Sequence, residues 1–161
     1  MPSASSRLRR PADYAAVFAA PEQRLRGTLW MWLLRRPAQN ADGETGRVSD
    51  CARLGLAVAR KHLPRAVARN RVKRVAREAF RVIAAELGDC DVVLLSANPK
   101  TNAASVTQKR PSKTERAARA DALDLQWQAW LQPRGRLLQQ FKQELATLAA
   151  RSAAPVRSAK P

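Results

Sequence analysis

Apolar residues recur at two rhythms along this chain, and the rhythm marks each element. In Arg10 to Ala20, RPADYAAVFAA, Tyr14, Val17 and Phe18 share a helical face, Pro11 and Asp13 suit a first turn, and Pro21 ends the run. Thr28 to Leu34, TLWMWLL, is a predicted strand with Trp30, Trp32 and Leu34 on one face and Leu29, Met31 and Leu33 on the other. Both faces are apolar, so both are expected to be covered. Arg53 to Lys61, RLGLAVARK, alternates Leu54, Leu56 and Val58 with Gly55, Ala57 and Ala59 and predicts a second strand with one open face. Cys90 to Ala97, CDVVLLSA, predicts a doubly covered strand stopped by Asn98-Pro99.

The longest element is a helix from Pro64 to Leu87, closed by Gly88. Val72, Val75, Ala76, Ala79 and Ile83 form its apolar stripe. A third helix is predicted over Thr114 to Leu131, broken by Pro133 and Gly135. A fourth runs from Arg136 to Ala150 with Leu137, Leu138, Phe141, Leu145 and Leu148 on one side. Arg36 to Asp50 and Lys100 to Lys113 read as polar loops, residues 1–7 as a loose tail and 151–161 as a disordered Ala/Ser/Pro/Lys-rich tail. The strand–helix–strand order around the long helix implies a parallel pair with a crossover, which the general rule makes right-handed.

Charge changes the picture at that long helix. Arg60 to Arg81, RKHLPRAVARNRVKRVAREAFR, holds nine basic residues and one acid, Glu78. Opposite the apolar stripe lie Asn70, Lys73, Arg74, Arg77 and Arg81, with Arg71 at the flank. Solvated helix faces mix signs for pairing, and this one hardly does. Arg outnumbers Lys, and its planar fork suits phosphate oxygens and base edges. The whole chain agrees: 161 residues, 30 Lys plus Arg against 13 acids, net charge +17, a self-repulsion explained most simply by a nucleic-acid partner.

Several classes are excluded or disfavoured. No apolar run reaches the ~20 residues of a membrane span. The start, MPSASSRLRRPADY, has no apolar signal core, so a cytoplasmic location is expected. Cys51 and Cys90 are too few for a disulfide framework, and with one histidine, His62, a His/Cys metal site is not expected. Acids are scattered, with Asp89 and Asp91 the closest pair, read as a solvated turn. No Gly-rich phosphate loop is present. A protein cutting phosphodiesters by itself needs metal ligands or an acid/base pair, and neither pattern appears.

Ala66, Arg69-Asn70-Arg71, Lys73-Arg74, Arg77-Glu78 and Phe80-Arg81, on a helix that follows a strand ending in two basic residues, resemble the RNR signature of the bacterial ribonuclease P protein family. The resemblance runs from about Leu8 to Pro99 and resumes near Arg136, so 100–132 reads as an insertion in one small domain spanning 8–150. It implies an α+β fold: a central mixed sheet packed by helices, like the second domain of ribosomal protein S5, with a left-handed βαβ crossover that departs from the general rule. It also implies the protein component of a ribonucleoprotein endoribonuclease, one protein per catalytic RNA, assisting removal of the 5′ leader from precursor tRNA. The RNA carries the catalytic Mg²⁺ ions; the protein binds none.

By the same resemblance, Arg69, Asn70, Arg71, Lys73, Arg74, Arg77 and Arg81 face the catalytic RNA. Tyr14, Phe18, Trp32, Arg60 and Lys61 are the counterparts of a cleft that receives the single-stranded leader, where aromatic rings can stack on bases. From periodicity alone Tyr14, Phe18 and Trp32 are equally core residues, and the Asn70 amide could bond a base edge, a 2′-OH or its own backbone. Trp127 and Trp130 either staple the inserted helix to the domain or pack on RNA. Two departures stand out: Ala57 and Ala59 occupy positions where small hydroxyl residues are common, and Arg60 stands where Lys is usual. The rivals are a general structured-RNA or ribosome-binding protein, a basic membrane-surface protein and an autonomous metal-dependent nuclease. The first predicts RNA affinity without stimulated cleavage. The second is disfavoured by a narrow Val/Ala stripe lacking large inserting side chains.

Overall fold

The computed structural model describes residues 6–37, 51–96, 112–132 and 135–153. Eight elements follow in order: α1 (Pro11–Ala19), β1 (Gln23–Arg26), β2 (Trp30–Arg35), β3 (Arg53–Ala57), α2 (Ala66–Leu87), β4 (Asp91–Ser96), α3 (Lys113–Leu131) and α4 (Arg136–Ala153). The four strands form one mixed sheet in the order β1-β2-β4-β3. β3 and β4 are parallel and the other pairs antiparallel. This is the expected α+β architecture, with α2, α3 and α4 against one face of the sheet and α1 on the other.

The side chains of β2 explain the layering. Trp30, Trp32 and Leu34 point into the main core with Val72, Ala76, Phe80 and Ile83 of α2 and Phe141, Leu145 and Leu148 of α4. Leu33 points the opposite way, into a smaller core with Leu8, Val17 and Val93 under α1. One carboxylate sits inside the larger core: Glu144 Oε2 accepts from Trp30 Nε1 at 2.7 Å and Trp32 Nε1 at 2.8 Å, while Oε1 accepts from Gln140 at 2.9 Å. Two indole donors thereby satisfy an acid that would otherwise be costly to bury. Phe141 meets both indoles edge-on at centroid distances of 5.2 Å, a geometry that adds to burial.

The structure revises several sequence expectations. Gln23–Arg26 is a strand that was not predicted. Its only large apolar residue is Leu25, so it carries no readable period, and it forms because β2 offers an antiparallel partner. β3 stops at Ala57, not Lys61, since His62 and Leu63 both donate to the Ala59 carbonyl and turn the chain. α2 begins at Ala66, leaving Pro64 in the connection, and ends as expected before Gly88, whose φ is +67°. Part of the expected N-terminal tail is fixed: Arg7 bridges Leu54, and Leu8 N–H donates to the Leu54 carbonyl. α4 continues to Ala153, where Arg36 binds the Ser152 carbonyl at 2.7 Å and so caps the last turn with a cation. Asp91 is not a solvated turn residue. It is buried and paired with Arg53 at 2.8 Å, an arrangement that raises the Arg53 pKa through its hydrogen bond to Asp91. Residues 38–50 and 100–111 of the two expected loops, Ala97 and the Asn98-Pro99 stop of the expected strand, the Pro133 break, and 1–5 and 154–161 of the expected tails lie outside the described residues.

α3 starts because Ser112 and Glu115 form a capping box, with Glu115 N–H donating to Ser112 Oγ at 3.2 Å and Ser112 N–H to Glu115 at 2.7 Å. Its C-terminal half is stapled to the domain, which settles the role of its tryptophans. Trp127 is buried 5.7 Å from the Trp30 ring, Trp130 stands edge-on to Trp30 at 4.9 Å, and Arg136 lies over Trp130 at 4.5 Å.

Candidate nucleic-acid interface

The amphipathic pattern of α2 fixes which of its cations face outward. With Val72, Ala76, Ala79, Phe80, Ile83 and Leu87 buried against the sheet and α4, Asn70, Arg74, Arg77 and Arg81 stand exposed in a line, and Lys73 is half-buried beside them. Glu78 is exposed at the margin. Residues three or four apart, such as Arg74, Arg77 and Arg81, are adjacent on the helix surface, so the line is a continuous cationic ridge about three turns long.

Two expected members of that set are engaged with the chain itself. Arg69 Nη1 donates to the Leu63 carbonyl at 2.9 Å and also to the Pro64 carbonyl. Arg71 Nη2 donates to the Leu131 carbonyl at 2.8 Å, at the end of α3. Both are half-buried. Helical spacing put them on or beside the polar face, but the turned β3–α2 connection just before the helix and the end of α3, 60 residues further on, supply acceptors that spacing cannot show. Arg65, the residue just before α2, and the buried Asp124 form a further link to α3 at 3.0 Å.

On the other face of the sheet, α1 covers Leu33 and Val93 but leaves a row beyond it. Met31, Leu95 and Ala57 are direct partners across β2, β4 and β3, each half-buried, and form an apolar floor. Tyr14 is pinned beside this floor. Its hydroxyl accepts from Leu56 N–H at 3.1 Å and donates to the Leu8 carbonyl at 3.4 Å. Gly55 makes that approach possible, because a Cβ there would stand 2.8 Å from Tyr14 Cε1. Phe18 lies 6.3 Å from Tyr14 and is 42% exposed. Arg60 and Lys61 are exposed in the turn after β3, at the end of the sheet where this floor lies.

Trp32 is not in this cleft. It points to the opposite face, is fully buried, and is held by Glu144. The pleat is the reason: Trp32 alternates with Met31 and Leu33, and α4 claims the tryptophan side. The β2 residue on the cleft floor is Met31, and Leu95 joins it; neither was a candidate. The alternation of β2 contained the signal, but which face met which helix did not follow from it.

The turn after β3 is braced. Ser96 Oγ accepts from Ala59 N–H at 2.8 Å and lies 3.2 Å from His62 Nδ1, and Trp127 Nε1 donates to the His62 carbonyl at 3.2 Å. Burial lowers the His62 pKa, with Lys61 adding repulsion. Among the described residues no group of three His, Cys, Asp or Glu side chains is placed to hold a metal ion, and no helix is long and apolar enough to cross a membrane.

A small α+β domain whose longest helix carries an almost single-signed basic ridge belongs to the class of proteins shaped for a polyanionic partner. The family model described as Ribonuclease P matches residues 2–121. The ribonuclease P protein component of Methylococcus capsulatus is 37% identical over 107 residues, covering 66% of this chain and 74% of its relative. That of Bordetella parapertussis is 37% identical over 112 residues, covering 70% and 86%. Among solved structures, the RNase P protein from Thermotoga maritima in complex with 1-(4-fluorophenyl)-2-thiourea is similar at 25% identity and TM-score 0.46, covering 84% of this chain and 97% of that one. The Staphylococcus aureus RNase P protein is similar at 21% identity and TM-score 0.47, covering 78% and 95%. The chain belongs to the ribonuclease P protein family. A protein component of ribonuclease P is part of a tRNA-processing ribonuclease and has an RNA partner in that complex.

Proposed function

We propose that this chain docks the catalytic RNA of ribonuclease P on the α2 ridge, one protein per RNA, and holds the 5′ leader of precursor tRNA in the cleft beside α1. The observation that carries this reading is the outward line of Asn70, Arg74, Arg77 and Arg81 on a chain of this family. Those arginines and Lys73 neutralise phosphates, and Asn70 offers an amide to a base edge or 2′-OH. Arg69 and Arg71 act indirectly, by fixing the connection that carries Arg60 and Lys61 and the end of α3. Met31, Leu95 and Phe18 give the leader an apolar, sequence-tolerant seat, and Arg60 and Lys61 meet its phosphates. Bond cleavage belongs to the RNA, which holds the catalytic Mg²⁺; the protein binds and orients, in the cytoplasm.

Purified protein added to a bacterial ribonuclease P RNA at low Mg²⁺ should stimulate cleavage of a 5′-extended precursor. The complex should also bind that precursor more tightly than leaderless tRNA. RNA binding without stimulation would reassign the chain as a general structured-RNA binder. Equal affinity for both substrates would remove the leader from the cleft.

A further inference from the structure

A concavity lies on one flank of the ridge and serves none of the roles above. It is a groove of about 370 Å³ between the C-terminal half of α2 and the outer edge of β3. Ala52, Leu54, Phe80 and Ala84 make an apolar floor, and Ala85 and Gly88 keep one wall low. Three arginines stand around it: Arg77 and Arg81 from α2, and Arg7 from the segment bridged to Leu54. All three are exposed. Phosphate binding alone needs no apolar floor, and core packing needs no arginine rim.

We propose that this groove is a site for one unstacked nucleotide of the bound RNA, its base or sugar on the apolar floor and its phosphates between Arg7 and the Arg77–Arg81 pair. The size is that of a small-molecule site. RNA is read mainly where bases are unpaired and splayed out, against apolar side chains and guanidinium planes. The occupant is anionic by charge complementarity, because the groove shares two arginines with the ridge and no acid lines it. The proposal rests on the ridge reading above and extends it from phosphate docking to recognition of a nucleotide.

The test uses the full chain with ribonuclease P RNA. Ala84→Trp fills the groove without removing charge. It should weaken RNA binding about tenfold or more, the scale of one lost base contact, with the salt dependence unchanged. Ala84→Ser, which leaves the space open, should bind more tightly than Ala84→Trp. Arg7→Ala should lower the slope of log K against log salt by about 0.7–0.9. AMP titrated against the protein alone should shift the backbone amide signals of residues 84, 85 and 88, and inorganic phosphate should shift them less. Equal shifts by the two would remove base recognition and overturn the proposal. So would unchanged affinity in Ala84→Trp while Arg74→Ala still lowers the slope, an outcome that spares the ridge. If Arg74→Ala also leaves the slope unchanged, the ridge reading itself fails. A loss of thermal stability in Ala84→Trp without loss of affinity would give the groove to this chain's own segments and overturn the proposal as well.

Discussion

The division of the basic residues into outward and inward-engaged groups makes a prediction that charge counting does not. Replace Arg74, Arg77 and Arg81 together by Ala, and separately replace Arg71 by Ala. The first three are exposed, and each is free to neutralise one phosphate. Each lost phosphate contact lowers the slope of log K against log salt by about 0.7–0.9, so the triple variant should lose roughly 2–3 from the slope. Arg71 instead donates to the Leu131 carbonyl at 2.8 Å and is half-buried. Its loss should leave the slope within about 0.3 of the parent and cost about 1.5–3 kcal/mol of folding stability, the range for a hydrogen bond to a charged group. Filter binding or fluorescence anisotropy to ribonuclease P RNA across a tenfold range of salt gives the slopes, and urea unfolding gives the stabilities. A slope reduction in Arg71→Ala equal to that of a single ridge arginine, with stability unchanged, would refute the division.

Other predictions concern the supports of the two surfaces. Glu144→Leu should destabilise the fold by about 2–5 kcal/mol, because it strands the buried Trp30 and Trp32 indole donors; a urea midpoint close to the parent's would remove the carboxylate from the core. Gly55→Ala places a methyl 2.8 Å from Tyr14 and 2.9 Å from Leu8, and should cost about 1–3 kcal/mol and loosen leader binding more than RNA binding. Precursor and leaderless tRNA affinities, measured on a folded variant, check this. His62 has a folded pKa lowered from its usual 6.5 by burial. The unfolded chain therefore takes up its proton first, and stability should fall as pH drops below about 6.5 until the folded state is protonated too. Urea midpoints from pH 7.5 to 5 should show this decline, weakened in His62→Gln; an identical decline in the variant would assign it elsewhere. Trp127→Phe should release the His62 carbonyl from its 3.2 Å bond and weaken leader binding through Arg60 and Lys61 while leaving the ridge salt slope intact.

Local pattern determined much of this protein. The 3.6-residue period of α2 and α4, Gly88 at a helix end, the apolar run of β4 and the one-signed ridge are all short-range properties of side chains, so a sequence displays them directly. The position of the apolar stripe alone assigns Asn70, Lys73, Arg74, Arg77 and Arg81 to the polar side, and all but the half-buried Lys73 stand exposed. The tertiary structure alone decided which sheet face each β2 residue serves, because a pleat fixes alternation but not which side a helix covers. It placed Trp32 in the core with Glu144 and Met31 in the cleft. It alone turned Arg69 and Arg71 inward, since their acceptors come from a connection and a helix end whose approach no spacing records. And it alone made a strand of Gln23–Arg26, whose hydrogen bonds are supplied by its neighbour and not by its own sequence.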